Sequence, residues 1–90
     1  MNLGQIVYSK SGRDAGKIFV VVNIDEENFI YISDGDMRRF EKAKKKKLKH
    51  IVETEFVDQS IRDKLLEGNR VSNAELRKAI SSYLCENTGG

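Results

Sequence analysis

Two short runs of β-branched and aromatic residues near the start of the chain constrain the fold more than any other feature of the sequence. Ile6-Val7-Tyr8 and the run from Ile18 to Ile24 have the composition that strands prefer. The segment between them, Ser11-Gly12-Arg13-Asp14-Ala15-Gly16-Lys17, contains two glycines, which tolerate the backbone conformations of tight reversals. The pattern predicts a β-hairpin whose loop displays Lys10, Arg13, Asp14 and Lys17.

Turn signals divide the following apolar segments at intervals of about ten residues. The polar residues 25–28 precede a predicted strand over Phe29–Ser33, and Asp34-Gly35-Asp36 then predicts a sharp reversal. A fourth strand is predicted over residues 37–41 and a fifth over residues 48–56. Short strands at this spacing favour a small antiparallel barrel of about five strands over a βαβ unit.

The last third of the chain changes to a helical period, which predicts two short helices. Either Asp58 or Ser60 is suited to cap the first helix, and Gly68 is suited to end it. Ser72 and Glu75 have the spacing of a capping box and mark the start of the second helix.

Ninety residues are enough for one domain with a small appendage. We expect a β-barrel domain over residues 1–57, a helical hairpin over residues 58–86 and a frayed tail over residues 87–90. The helices are expected to pack on each other or across an open end of the barrel. The apolar side chains predicted to make these contacts are Leu65, Leu66, Leu76 and Ile80.

The net charge of +2 hides an uneven distribution along the chain. Residues 1–50 contain 11 Lys and Arg against 7 Asp and Glu, whereas residues 51–90 contain 5 against 7. The positive charge is concentrated in residues 38–49, and polyanions are the natural partners of such a segment. The negative balance of the tail argues against a DNA-reading helix-turn-helix there and leaves a protein partner as another use of the helices.

The first half of the chain also resembles a known family. The order of Gly4-Gln5-Ile6-Val7, residues 9–17 and a run of valines is similar to the KOW motif of small RNA-binding modules in ribosomal proteins and some transcription factors. Residues 31–36, the lysine run and Lys49-His50 extend this resemblance to short bacterial KOW-domain RNA-binding proteins related to a eukaryotic and archaeal large-subunit ribosomal protein. The resemblance covers residues 2–57 closely and the tail more loosely. It implies an SH3-like barrel whose first loop contacts RNA.

Basic side chains in two segments form the predicted RNA-binding site. Lysines neutralise phosphates and supply salt-dependent affinity, while arginines add bidentate contacts. The predicted site residues are Lys10, Arg13, Lys17, Arg38, Arg39, Lys42, Lys44, Lys45, Lys46, Lys47 and Lys49. We expect the lysine run to lie in a basic loop between strands; the alternative is a solvated loop that only keeps the protein soluble. Phe40 is the aromatic candidate for base stacking, and core packing is its alternative.

The sequence therefore predicts a non-enzymatic RNA-binding protein. Its expected partner is ribosomal RNA or the large ribosomal subunit, which it would serve as a ribosome-associated, assembly or translation factor. The alternative is a protein-interaction module of the transcription or translation machinery, in which the lysine run contacts an acidic protein surface.

The other chemical classes find little support in the sequence. No catalytic constellation is visible, and the single His50 and the single Cys85 cannot assemble a zinc site, so we expect no cofactor and no metal. One cysteine fits a reducing compartment, and no apolar window approaches the length of a membrane span, which together predict a cytoplasmic protein.

Overall fold

The computed structural model describes residues 1–25 and 28–88. Its five antiparallel strands form one sheet, and two helices follow at the C-terminus, so the predicted mainly β fold is confirmed. The elements are β1 (Gln5–Ser9), β2 (Ile18–Ile24), β3 (Phe29–Ser33), β4 (Lys44–Lys47), β5 (Ile51–Val57), α1 (Gln59–Leu66) and α2 (Asn73–Thr88).

The sheet is strongly curled but not closed. Its strand order is β4-β3-β2-β1-β5, so two strands that are consecutive in sequence form its opposite edges. Across a flat sheet those edges would lie about 19 Å apart. Only the 3₁₀ turn Leu48–His50 joins these two strands. Because this turn is too short to span that distance, the sheet must curl to bring its edges together. Register shifts in the β1–β5 and β2–β3 ladders add the local bends that curling requires.

Apolar residues cover both faces of the sheet. The inner cluster lies inside the curl and consists of Val7, Phe19, Val21, Ile30, Ile32 and Ile51. The outer cluster lies under the helices and consists of Ile6, Val20, Val22, Ile61, Val71, Leu76, Ala79 and Tyr83. Neighbouring strand residues point to opposite faces, so the four consecutive buried residues at positions 19–22 require cover on both sides.

The helix boundaries follow the predicted capping residues. The Asp58 carboxylate accepts the backbone N–H of Ile61 at 3.0 Å, so Asp58 and not Ser60 caps α1. Gly68, at φ +78°, ends this helix. The capping box of α2 is confirmed, since the backbone N–H of Ser72 donates to the Glu75 carboxylate at 2.8 Å and that of Glu75 donates to the Ser72 hydroxyl at 3.1 Å.

The helices lie against the outer face of the sheet. Leu76 is fully buried, and Leu65 and Ile80 pack half-buried against the outer cluster. Leu66 takes no part in this packing and is 59% exposed. Helix α2 continues to Thr88, over the first half of the predicted tail, while residues 89–90 lie outside the described residues.

The predicted fourth strand over residues 37–41 is wrong. The Asp34 carboxylate accepts the backbone N–H groups of Asp36 and Arg38, which closes a tight turn, and a 3₁₀ turn follows at Phe40–Lys42. The strand is instead the lysine run, which pairs with β3 as β4. The lysine run is therefore an edge strand and not the predicted basic loop. The other predicted turn, over residues 25–28, includes residues 26 and 27, which lie outside the described residues.

Glu41 ties this connection to the start of α2. Its carboxylate accepts hydrogen bonds from the Asn73 amide at 3.1 Å and from the Arg70 guanidinium. A bond from its own backbone N–H, followed by these two contacts, lowers the pKa of Glu41 from 4.5 to about 2. A depressed pKa means that the carboxylate stabilises the fold above pH 4.5, and that this stabilisation is lost as the pH falls towards 2.

We therefore expect the E41Q variant to lose part of the acid dependence of folding. Its free energy of unfolding should fall less than that of the wild type between about pH 5 and pH 2, as measured by urea titration at several pH values. The exposed Glu55 of β5 provides the control, because E55Q should keep the wild-type acid dependence. Identical acid dependence in E41Q and the wild type would contradict the stabilising role of the Glu41 contacts.

Candidate nucleic-acid interface

The loop between β1 and β2, residues 10–17, forms the predicted hairpin connection. The backbone N–H of Ser9 donates to the Lys17 carbonyl at 3.0 Å, and that of Gly16 donates to the Ser9 carbonyl at 2.8 Å. A 3₁₀ turn at Gly12–Asp14 shapes the tip. Lys10, Arg13 and Lys17 are exposed, and within the described part of the chain their side chains make no hydrogen bond or ion pair. Three free cations therefore project from one short loop.

Two lysines of β4 fix this loop from inside the curl. Lys44 and Lys46 pair with Ile32 and Ile30 of the inner face, so their stems lie on that side. The Lys46 ammonium donates to the Ser11 carbonyl at 3.0 Å, although only 9% of this residue is exposed. Lys44 contacts the Asp14 carboxylate at 2.5 Å. The structure thus brings together two basic segments that lie about thirty residues apart in sequence.

The contact with Lys44 also changes the electrostatics of the loop. The hydrogen bond from Lys44 is the main cause that lowers the pKa of Asp14, and the charges of Lys44, Lys46 and Arg38 add to it. The only acidic side chain of the loop is therefore ionised and paired within the protein. The charged side chains that the loop leaves facing solvent, those of Lys10, Arg13 and Lys17, are all positive. We call these three residues, together with Lys44 and Arg38 near Asp14, the basic loop surface.

The other predicted site residues lie in several places. Lys45 and Lys47 point to the outer side of β4 and are exposed. Arg39, Lys42 and Lys49 are exposed on the connections that flank this strand, while Arg38 is half-buried. The backbone N–H of Lys10 donates to the His50 carbonyl at 2.8 Å, which holds the loop beside the turn that carries Lys49. The predicted lysines therefore form no single continuous row, because the strand divides them between two faces.

Two phenylalanines, Phe40 and Phe29, lie close to the basic segments, and each has a different environment. Phe40, the predicted stacking residue, is half-buried against the outer cluster, and its backbone N–H donates to the Asn73 side chain at 2.7 Å. Phe29 is also half-buried, and it lies under the ammonium group of Lys45. Only the strand pairing places Phe29 beside the lysines, because it lies directly opposite Lys47 in the β3–β4 ladder.

A concave region lies between the loop and α2. This cavity of about 420 Å³ is lined by Lys17, Arg77, Asp34 and Asp36, with apolar residues of β1, β2 and α2. The Asp34 carboxylate closes its turn, and the Arg77 guanidinium donates to the Gly35 carbonyl at 2.6 Å. Asp34 and Arg77 therefore hold the turn at Gly35 against α2.

No group of three or more His, Cys, Asp or Glu side chains among residues 1–25 and 28–88 is placed to hold a metal ion. No helix in that part of the chain is both long enough and apolar enough to cross a membrane.

Comparison with known proteins gives no assignment. No family model matches the chain, and no curated protein matches it significantly. The resemblance to the KOW family therefore stays a prediction that depends on the motif residues.

Proposed function

We propose that this protein binds RNA through the basic loop surface, with ribosomal RNA as its expected partner. The observation that carries the proposal is the pair of contacts that Lys44 and Lys46 make with the loop. They fix the loop backbone and neutralise Asp14. A pre-ordered loop loses less conformational entropy on binding than a flexible one, and its free cations lie ready for phosphates.

The chemistry of these side chains favours a polyanion over other ligands. Lys10 and Lys17 act as point charges toward phosphate, and Arg13 adds a planar donor that bridges two oxygens. Such contacts position a nucleic acid without reading its sequence. The preference for RNA, and for the ribosome in the cytoplasm, comes from the resemblance to the KOW family.

We expect R13Q to weaken RNA binding and to reduce its dependence on salt. One lost phosphate contact lowers the slope of log K against log salt by about 0.7 to 0.9. The measurement is fluorescence anisotropy of a labelled RNA hairpin at salt concentrations between about 50 and 200 mM. Affinity that depends on phosphate contacts falls steeply over this range. Lys78 is an exposed cation on α2, away from the basic loop surface, so K78Q is the matched control.

Equal slopes for R13Q and K78Q would remove the loop from the proposed interface. The competing class, a protein-interaction module, is tested by recovering the protein from lysate with and without ribonuclease. Complexes that survive the nuclease would favour a protein partner, whereas complexes that dissociate with it would favour RNA.

A further inference from the structure

On the outer side of the β3–β4 edge, two aromatic rings of β3 each lie opposite a lysine of β4. Phe29 pairs with Lys47 and Tyr31 pairs with Lys45 across the antiparallel ladder. Residues two apart on a strand share a face, so these four side chains project to the same side. We call them the aromatic–lysine strip. The lysines that fix the loop project to the other side.

The helices leave this part of the sheet partly uncovered. Tyr31 is half-buried at the margin of the outer cluster, and Phe29 is half-buried beyond it. A cavity of about 420 Å³ lies beside the Phe29 ring and is also lined by Lys47 and Lys49. A second cavity, of about 330 Å³, lies between Tyr31 and Phe40. Each ring of the strip therefore has open space next to it. The cavity beside Phe29 has two lysines at its rim, and the cavity beside Tyr31 has Lys42 together with Glu41.

Within residues 1–25 and 28–88, the lysines of the strip are held only by weak contacts. The Lys45 ammonium lies 4.6 Å from the centre of the Phe29 ring and 6.0 Å from that of Tyr31, and the Lys47 ammonium lies 5.9 Å from the Phe29 ring. Lys45 also forms an ion pair with Asp25 at 3.6 Å, in which both side chains are at least 40% exposed. Exposed ion pairs and cation–π contacts of this kind contribute little, so a phosphate competes well for both lysines.

Lysines on an edge strand also have a purely structural use, because they block pairing with the sheets of other molecules. That role requires charge at the edge but no aromatic ring beneath it. The combination of half-exposed rings with cations directly opposite them on the neighbouring strand is instead the arrangement that binds bases by stacking and phosphates by charge.

We propose that the aromatic–lysine strip binds a single-stranded segment of RNA. One base stacks on Phe29 and its neighbour on Tyr31, while Lys45 and Lys47 contact the adjacent phosphates. The segment is single-stranded because the bases of a duplex are already stacked on each other and cannot reach the rings. This inference rests on the proposed RNA-binding function and adds to it the class of RNA and a second contact surface.

The test compares two anions that differ in whether they carry bases. The full-length protein is titrated with a uridine decamer and, separately, with polyphosphate of similar charge. F29L keeps an apolar side chain but removes the ring, so it should weaken decamer binding about tenfold and leave polyphosphate binding unchanged. The double variant K45Q/K47Q should weaken the binding of both anions, because it removes charge.

Phe56 provides the matched control for the ring. It is a half-buried phenylalanine of β5 that packs edge-on against Tyr83 at 5.7 Å and lies beside Glu55 rather than lysines. F56L should therefore leave the affinity for both anions unchanged. Thermal unfolding of F29L and F56L confirms that each variant is folded at the temperature of the titration.

A spectroscopic readout reports stacking directly. The chain contains no tryptophan, so F29W introduces a single indole into the strip, which can be excited selectively over the three tyrosines. The decamer should quench its emission, and polyphosphate should not. Decamer affinity that is equal in F29L and the wild type, or F29W emission that the bound decamer leaves unchanged, would overturn the strip while the proposed RNA-binding function stands. If the wild type binds neither the decamer nor the RNA hairpin, the proposed function fails and the strip fails with it.

Discussion

G35A is expected to destabilise the protein by about 2–5 kcal/mol, which is a large part of the stability of a small domain. Two causes act together at this position. Gly35 has φ +75°, a conformation that side-chain-bearing residues adopt only with strain. A Cβ at this position would also lie 2.3 Å from the Asn73 carbonyl oxygen and 3.1 Å from the Leu76 Cβ. The alanine must therefore push α2 away from the turn.

The chain offers a control that separates these two causes. Gly16 has φ +83°, but a Cβ there would have no atom within 4 Å. G16A should therefore show the backbone strain alone, about 1–2 kcal/mol. Urea unfolding followed by circular dichroism gives the free energy of unfolding of both variants. A loss in G35A no larger than that in G16A would mean that α2 does not pack closely on the turn.

The Gly35 turn matters because it joins the helices to the strand that fixes the loop. Asn73 at the start of α2 contacts both Phe40 and Glu41, which lie just before β4. The lysines of β4 in turn fix the loop of the proposed interface. The helices thus contribute to the interface through the placement of β4.

Local sequence signals were sufficient for most of this fold. The first three strands have β-branched runs bounded by turn residues, and the helix caps have specific side chains at specific spacings, so both could be predicted. The fourth strand could not, because lysine has no intrinsic preference for strands. Residues 44–47 form a strand because they pair with β3 after a turn whose length depends on the contacts of Asp34 and Arg38.

The candidate site was predictable as a set of charges but not as a surface. In the sequence, four consecutive lysines look equivalent. In the strand they alternate, so that Lys44 and Lys46 hold the loop while Lys45 and Lys47 face solvent beside aromatic rings. This division depends on which residues of β3 pair with the run, a tertiary contact that no local pattern encodes.

L76A is the second variant with a large expected effect. Leu76 is fully buried in the outer cluster, where β1, β2 and both helices meet. Truncating a buried leucine to alanine removes apolar contacts and leaves a cavity, which costs about 2–5 kcal/mol. Leu66 is the matched control, because its side chain is 59% exposed and L66A should change the free energy of unfolding by less than about 0.5 kcal/mol.

The same variant tests whether the helices form a separate appendage or part of one folding unit. The outer cluster buries Ile6, Val20 and Val22 of the sheet under α1 and α2, so loss of the helices would expose one whole face of the central strand. We therefore expect L76A to lower the protection of amide hydrogens in β2 and α2 by the same free energy, as measured by native-state hydrogen exchange. Reduced protection confined to α2, with β2 unchanged, would contradict this coupling and would show that residues 1–57 remain folded when the helices open.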